Sequence, residues 1–425
     1  MYKKIVLKNG LRLILVPRKE TAVLTALVVF ALGSRNEDPK VAGISHVLEH
    51  MAYKGAKKRK TPQEVAEFVD SLGGHNNAFT DKEWTGFYVK APSKHLDSIF
   101  DFLSDNICHA SLAEEELVRE KAVILEEIKM YKDMPSFQAG ELFDKAAFLN
   151  QSLGSPVIGF SKSVSSINRQ DLLDYHKNFA YKNCVIAIAG NFSLYSEEEI
   201  TKKVENLFDL NQENKRIFQP AVRADKFIPK ILIKKTEQSN LIAGFLGPSM
   251  SHDDWYAVRV MTKILGGSMS SRMFLEIREK RGLAYSVSTG YVPLTDIGLI
   301  YTEAGVAHHN VAKTLEAILE QYDKIAQTKV DPAELSRAKE MIRGSQLIEL
   351  EDSEELASTY AFDEVLINKI EEPDETIRKI ELISAEQVQE VARKYLNLNK
   401  IIFSAVGEEI DKDNINKILE RKNGN

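Results

Sequence analysis

Cysteine is almost missing from this sequence: Cys108 and Cys184 are the only two in 425 residues. Two thiols so far apart build neither a disulfide framework nor a C-x-x-C metal knuckle. A reducing compartment suits such a chain, and a cytoplasmic location is expected. Long apolar runs are also missing. The longest, residues 22–32, is interrupted by Thr25 and is too short to span a bilayer. Met1-Tyr-Lys-Lys leads into Ile-Val-Leu-Lys-Asn-Gly, which reads as strand and turn and not as a signal-peptide core. Neither secretion nor a membrane anchor is expected. Basic excess is the third absence. The net charge is −6, which gives no footing to a nucleic-acid partner.

What remains is a globular composition, 44% hydrophobic and 28% charged. At about 100–200 residues per domain, a chain of this length implies two or three domains.

The chemistry gathers at His46-Val-Leu-Glu49-His50. Residues four apart on a helix share a face, so both imidazoles can reach one metal ion. Glu49 points to that same face. Val41, Ile44, Leu48 and Met51 follow helical spacing, with Asp38-Pro39 as the expected start and Gly55 as the expected stop. The order H-x-x-E-H is the inverted form of the HExxH metalloprotease motif. Two histidines alone could be surface residues, so further ligands decide the matter. Catalytic zinc takes three protein ligands and keeps one position open. The helix that Ser111-Leu-Ala-Glu114 opens as a capping box, and that runs through Lys132, offers glutamates. Its apolar stripe is Leu117, Ile124, Leu125 and Ile128. Glu120 and Glu127 lie together at the edge of that stripe, while Glu126 points to solvent. Either Glu120 or Glu127 can therefore reach a metal.

The rest of the chain alternates short strands and helices. Asn9-Gly10 marks a hairpin between residues 3–7 and 11–16, and residues 22–32 read as a central strand. Thr61-Pro62-Gln63-Glu64 opens a helix to Leu72. Asn77 to Thr80 and Trp84 to Ala91 form a hairpin, and Ser93 to Asp105 a helix. Ser166 to Asn178 reads as one helix, Cys184 to Ala189 as an apolar strand, and Ser196 to Leu207 as a helix. The second half repeats this order: strands at 230–234 and 240–246, helices at 253–265 and 271–280, strands at 285–292 and 298–305, and helices from 311 and 332. Residues 175–191 parallel residues 391–408, each a helix, an apolar strand and a glycine. Duplication explains this best. The expected fold class is α+β: two homologous domains, each a mainly antiparallel sheet packed with helices. The expected bounds are 1–212, a polar linker 213–225, and 226–425. The helix at Trp255–Leu265 holds the place of the motif helix but has no histidine, so no metal site is expected in the second domain.

Taken together, the chain resembles the pitrilysin family of zinc peptidases, which includes mitochondrial processing peptidase and insulin-degrading enzyme. The likeness rests on His46-x-x-Glu49-His50, Asn77-Ala-Phe-Thr80, Arg119-Glu120 with Glu127 seven residues on, Leu153-Gly-x-Pro156-Val-x-Gly159, and Arg278 through Gly282-Leu-x-Tyr285. The resemblance implies one Zn2+ per chain on His46, His50 and Glu127, with Glu49 as general base and Glu120 supporting a ligand from behind. It implies that Asn77, Ala78 and Phe79 hold an extended peptide, and that Arg278 and Tyr285 stabilise the transition state. Active members of the family enclose substrate between two halves of two domains each, and this chain supplies one half. A homodimer is therefore expected, with Arg278 and Tyr285 acting on the partner's zinc. The competing expectation is a non-proteolytic scaffold subunit of the same family, which would have no need of these ligands. Gly266-Gly267 before a helix is too weak a signal for nucleotide binding. His75 and His308-His309 are expected in loops or at the surface, the two cysteines as buried inert thiols, and the acidic run Glu349–Glu355 as a solvated helix face.

Overall fold

Asn9 and Gly10 turn the chain between β1 (Lys3–Val6) and β2 (Arg12–Pro17), which pair antiparallel. Continuous apolar sequence then gives β3 (Val23–Phe30), buried on both faces as only a central strand can be. The computed structural model describes residues 2–212, 218–224 and 227–421. In chain order there follow α1 (Ile44–Ala52), α2 (Pro62–Leu72), β4 (His75–Thr80), β5 (Thr85–Pro92), α3 (Leu96–Cys108), α4 (Glu114–Asp133), α5 (Pro135–Ala147), α6 (Ser161–Ser166), α7 (Arg169–His176), β6 (Cys184–Gly190) and α8 (Glu197–Leu207). The second half holds β7 (Lys230–Ile233), β8 (Ser239–Gly247), α9 (Trp255–Gly266), β9 (Ala284–Pro293), β10 (Gly298–Val306), α10 (Val311–Gln327), α11 (Pro332–Glu349), α12 (Ser353–Ile367), α13 (Pro373–Leu382), α14 (Ala385–Tyr395), β11 (Ile402–Gly407) and α15 (Lys412–Arg421).

Two compact units form, and their segments interleave. The first holds Met1–Ile128, Pro156–Gln219 and Leu347–Glu372; the second holds Lys129–Ser155, Pro220–Gln346 and Pro373–Asn425. The units thus differ from the contiguous halves 1–212 and 226–425. Helix α5 belongs with the second unit and α12 with the first. The chain crosses between Gln219 and Pro220, within the expected linker 213–225. Residues 213–217 and 225 of that linker lie outside the described residues.

In the first unit the strand order is β1-β2-β6-β3-β5-β4. Only β2 and β6 run parallel. One face of this sheet presents Ile14, Val16, Leu27, Val29, Val185 and Ala187. Leu356, Ala357, Tyr360, Ala361 and Val365 of α12 pack onto it. Glu364 of α12 is buried; it pairs with Lys4 at 2.7 Å, and its backbone carbonyl accepts from Arg12 at 3.0 Å. A buried carboxylate without such partners would cost several kcal/mol. The other face carries α3 on β3 and β5, and α1 on β4.

In the second unit the order is β7-β11-β8-β10-β9, again with one parallel pair, β7 with β11. That pair holds the same place in the order as β2 with β6, and α9 holds the place of α1. Here α5 covers one face: Ala139, Phe143 and Ala147 pack with Ile242, Leu299, Ile402 and Val406. The fold is therefore two repeats of mainly antiparallel sheet and helix, and the repeat of 175–191 in 391–408 appears as α7–β6 and α14–β11.

Local differences from the expected elements have local causes. The helix expected over 166–178 is α7 and starts later, because Ser166 closes α6 and Asn168 caps the new helix: its side chain accepts the Asp171 N–H at 3.1 Å. Residues Phe274–Lys280 form a π-helix instead of an α-helix. His75 is the first residue of β4 and not part of a loop. Cys184 is buried and burial raises its thiol pKa, while Cys108 is only partly buried with its thiol pushed up to about 12. Among the described residues, no helix is long and apolar enough to cross a membrane.

Candidate metal centre

The motif helix starts later than its sequence suggests. Asp38 accepts the Lys40 N–H at 2.9 Å, but the helix it caps is a single 3-10 turn, Pro39–Val41. The chain breaks at Ala42 and Gly43, and α1 begins at Ile44. The break is imposed by a tertiary contact. Gly43 takes φ 97, and a Cβ there would lie 2.6 Å from the carbonyl oxygen of Ile158. Gly159, at φ +77, faces it, and a Cβ there would lie 2.2 Å from the Ala42 carbonyl oxygen. Two backbones meet with no room for side chains between them. Ser163 donates its hydroxyl to Ala42 at 2.7 Å and locks the approach. The free N–H groups of the new helix start go to Glu37, whose carboxylate accepts from Gly43 at 2.7 Å and from Ser45 at 2.8 Å. Burial pushes the Glu37 pKa up to about 7, and these two N–H groups hold it from rising further. The helix ends at Ala52 with Tyr53 as its cap, not at Gly55.

From α1, Val47, Leu48 and Met51 enter the core, leaving His46, Glu49 and His50 on the opposite side. Helix α4 runs past that side. Nε2 of His46 lies 3.9 Å from Oε2 of Glu127, and Nε2 of His50 lies 3.7 Å from the same oxygen. The three ligand atoms fall within 4.8 Å of one another, and no other group of this kind occurs among the described residues. Donors about 2.1 Å from a tetrahedral ion stand roughly 3.4 Å apart, so small shifts of these side chains suffice to hold zinc. Burial, and then the neighbouring His50, lower the His46 pKa to about 4, which leaves its imidazole neutral as a ligand must be.

Glu120 and Glu127 separate in space although the helix stripe left both open. Glu120 is buried, and its Oε2 lies 3.1 Å from Nδ1 of His50, behind the ring. Its Oε1 lies 2.8 Å from Nζ of Lys54. Glu127 alone points between the two histidines. Glu126 is exposed.

Glu49 stands beside this cluster. Burial raises its pKa, and the Glu127 charge adds to the rise. The Thr80 hydroxyl lies close enough to oppose it, without a well-formed hydrogen bond. Glu49 Oε2 and His46 Nδ1 are both buried with no hydrogen-bond partner. Buried polar atoms in that condition are uncommon and mark a place where something polar belongs. The donor set and the orphaned oxygen of Glu49 fit a hydrated divalent ion.

Strand β4 is the outer strand of its sheet, paired only with β5. Asn77 is exposed, and its carbonyl accepts the Tyr53 hydroxyl at 3.2 Å. The Phe79 ring turns toward α12, with centroids 5.1 Å from Trp84 and 6.2 Å from Phe362. Of Phe79, only the backbone is therefore offered along the edge. In the second unit Arg278 and Tyr285 come together. The guanidinium carbon of Arg278 lies 4.8 Å from the Phe274 ring and 5.5 Å from the Tyr285 ring. Tyr285 is the extra residue of a bulge, since Ser286 pairs with Gly305 and Ala284 with Val306. It is 77% exposed.

Sequence reasoning passed over Lys54 and Glu37, and placed Thr80 on its strand without its approach to Glu49. For Lys54 a signal was present: it stands four residues after His50, continuing the spacing of the two histidines. Glu37 and Thr80 carry no such periodic mark.

Residues 13–160 match the family described as Insulinase (Peptidase family M16), and residues 166–342 match the Peptidase M16 inactive domain. The uncharacterised zinc protease YmxG of Bacillus subtilis is 34% identical over 398 residues, covering 93% of this chain and 95% of its own. An uncharacterised zinc protease of Rickettsia bellii is 36% identical over 397 residues, 91% of this chain and 93% of its own. Among solved structures, a protease from Helicobacter pylori aligns with a TM-score of 0.88 at 22% identity, over 96% of this chain and 99% of its own. A chain of complex III2 from Candida albicans aligns with a TM-score of 0.83 at 19% identity, over 98% of this chain and 99% of its own. At these identities the two structures speak for the fold.

Proposed function

Because the chain belongs to the insulinase family, peptidase family M16, we propose that it is a zinc-dependent endopeptidase acting on peptides or unfolded polypeptides. The observation that carries this reading is the meeting of His46, His50 and Glu127 within 4.8 Å, with Glu49 beside them. Relatives named zinc proteases support zinc as the ion, and the single ligand cluster among the described residues supports one per chain.

His46, His50 and Glu127 would hold the ion, which would lower the pKa of a water toward neutrality and polarise the scissile carbonyl. Glu49 takes the proton of the attacking water on its carboxylate and returns it to the leaving amine. Burial, which raises its pKa, makes it readier to hold the proton between those two steps. The peptide lies extended against the free edge of β4, held by backbone hydrogen bonds at Ala78 and its neighbours. Such bonds tolerate many sequences, so specificity is broad. Arg278 and Tyr285 donate hydrogen bonds to the developing oxyanion, from the second unit of a partner chain in a homodimer. The exposure of Tyr285 supports that role. Two unpaired cysteines support a cytoplasmic site of action.

The scaffold reading has one point in its favour, the match of residues 166–342 to the domain described as inactive. The complete ligand set and the adjacent Glu49 favour the peptidase. Mass spectrometry of products from a mixed peptide library decides between them. Cleavage that needs zinc and vanishes in Glu49→Gln supports the peptidase; an intact library in the presence of bound zinc counts against it.

A further inference from the structure

A metal ligand works only if its ring is held, and for His50 the holding reaches further than one residue. Nδ1 of His50 faces Oε2 of Glu120 at 3.1 Å, which leaves Nε2 turned toward Glu127. A carboxylate bound to the far nitrogen of a ligating histidine fixes both the ring and the tautomer: the proton sits on Nδ1 and the lone pair on Nε2. A carboxylate can rotate, however, and Glu120 has two oxygens that are equivalent until something distinguishes them.

Lys54 distinguishes them. Its ammonium sits 2.8 Å from Oε1, so Oε2 alone is left for His50. The side chain of Glu120 is only 8% exposed and that of Lys54 28%, so water competes weakly for either group. Lys54 is held from the other direction by the chain itself. Its N–H donates to Met51 in the last turn of α1 at 3.2 Å, and Tyr53 beside it is tied to Asn77 of β4. The end of the motif helix thus returns on α4 and grips the residue that orients the second histidine.

We propose that Lys54 is a positioning residue of the metal centre, acting through Glu120 to set the ring of His50. This rests on the reading of His46, His50 and Glu127 as a zinc site. The chain Lys54–Glu120–His50 makes affinity for the ion depend on a side chain that never touches it. Lysine is suited to the place because a point charge with three donors can sit against one carboxylate oxygen. Arginine's fork can keep that contact, whereas an uncharged side chain leaves Glu120 buried beside the histidine without a counter-charge.

The test measures zinc affinity by competition with a chromophoric chelator. Replacing a group that supports a metal ligand from behind costs about 10–100-fold in affinity, so Glu120→Gln should fall in that range and Lys54→Met should lose about tenfold. Lys54→Arg should bind close to the unmodified chain. The double variant Lys54→Met, Glu120→Gln should bind no more weakly than Glu120→Gln alone, because the lysine acts only through the glutamate. Lys54→Gln serves in place of methionine if circular dichroism shows that Lys54→Met has lost its fold. Unchanged affinity in the uncharged variants, or losses that add in the double variant, would overturn the role of Lys54 and leave the zinc site standing. An unmodified chain with no measurable zinc affinity would overturn both together.

Discussion

The carboxylate of Glu37 accepts the backbone N–H of Ser45 at 2.8 Å, one residue before the first histidine of the cluster. The motif helix is therefore capped by a fully buried acid contributed from outside it. That acid has a pKa of about 7 in the folded chain, raised first by its removal from water, against 4.5 in the unfolded chain. A raised folded pKa favours the protonated form in the fold. The contribution to stability is thus complete below pH 4.5 and is lost as pH rises through 7.

Glu37→Gln removes this titration. Between pH 5 and pH 8, urea unfolding midpoints of the unmodified chain should fall relative to those of Glu37→Gln. The difference should reach the order of a few kcal/mol when converted to free energy. Parallel profiles for the two proteins would refute it.

Gly159 and the Ala42 carbonyl oxygen leave no room between them for a Cβ. Gly159→Ala also forces alanine to φ +77. Strain of that kind costs about 1–3 kcal/mol, and a shift of the Ala42–Gly43 break would move the start of α1. The expected result is a lowered melting temperature together with weaker zinc binding, read by calorimetry and chelator competition. Gly140→Ala is the control, because a Cβ there meets nothing within 4 Å.

The proton-transfer role of Glu49 and the ligand roles of its neighbours should separate cleanly. Glu49→Gln should lower peptide hydrolysis by about 10²–10⁴-fold, in line with loss of a general base, while retaining bound zinc. Glu127→Gln and His46→Ala should lose the zinc as well. Elemental analysis of the purified variants, alongside their rates on one peptide, makes the distinction.

Arg278 and Tyr285 are predicted to serve the partner chain. Glu49→Gln and Tyr285→Phe, each inactive or nearly so alone, should recover activity when mixed and allowed to exchange subunits. Losing one oxyanion donor costs about 10²–10³ in rate, so recovery to a sizeable fraction of the normal rate would be unmistakable. No recovery, with exchange shown by a mass-tagged subunit, would place the pair's action within one chain or nowhere.

Local order is where the sequence spoke clearly. The Asn9-Gly10 hairpin, the Thr61 cap that accepts from Glu64, the central β3 strand and the shared face of His46, Glu49 and His50 depend on neighbours a few residues away. Periodicity and turn chemistry record such neighbours directly. The duplication was legible for the same reason, since each repeat writes its helices and strands in the same order.

Only the folded chain decided the rest. Glu120 and Glu127 share one edge of α4, and the approach of α1 sends one behind His50 and the other between the histidines. The start of α1 depends on Gly159, more than a hundred residues on. Helices α5 and α12 bury apolar faces like any others, and nothing in such a face names the sheet it will cover. A pattern of hydrophobic residues says which side turns inward; the packing partner is chosen by shape among many apolar surfaces, and that choice exists only in three dimensions.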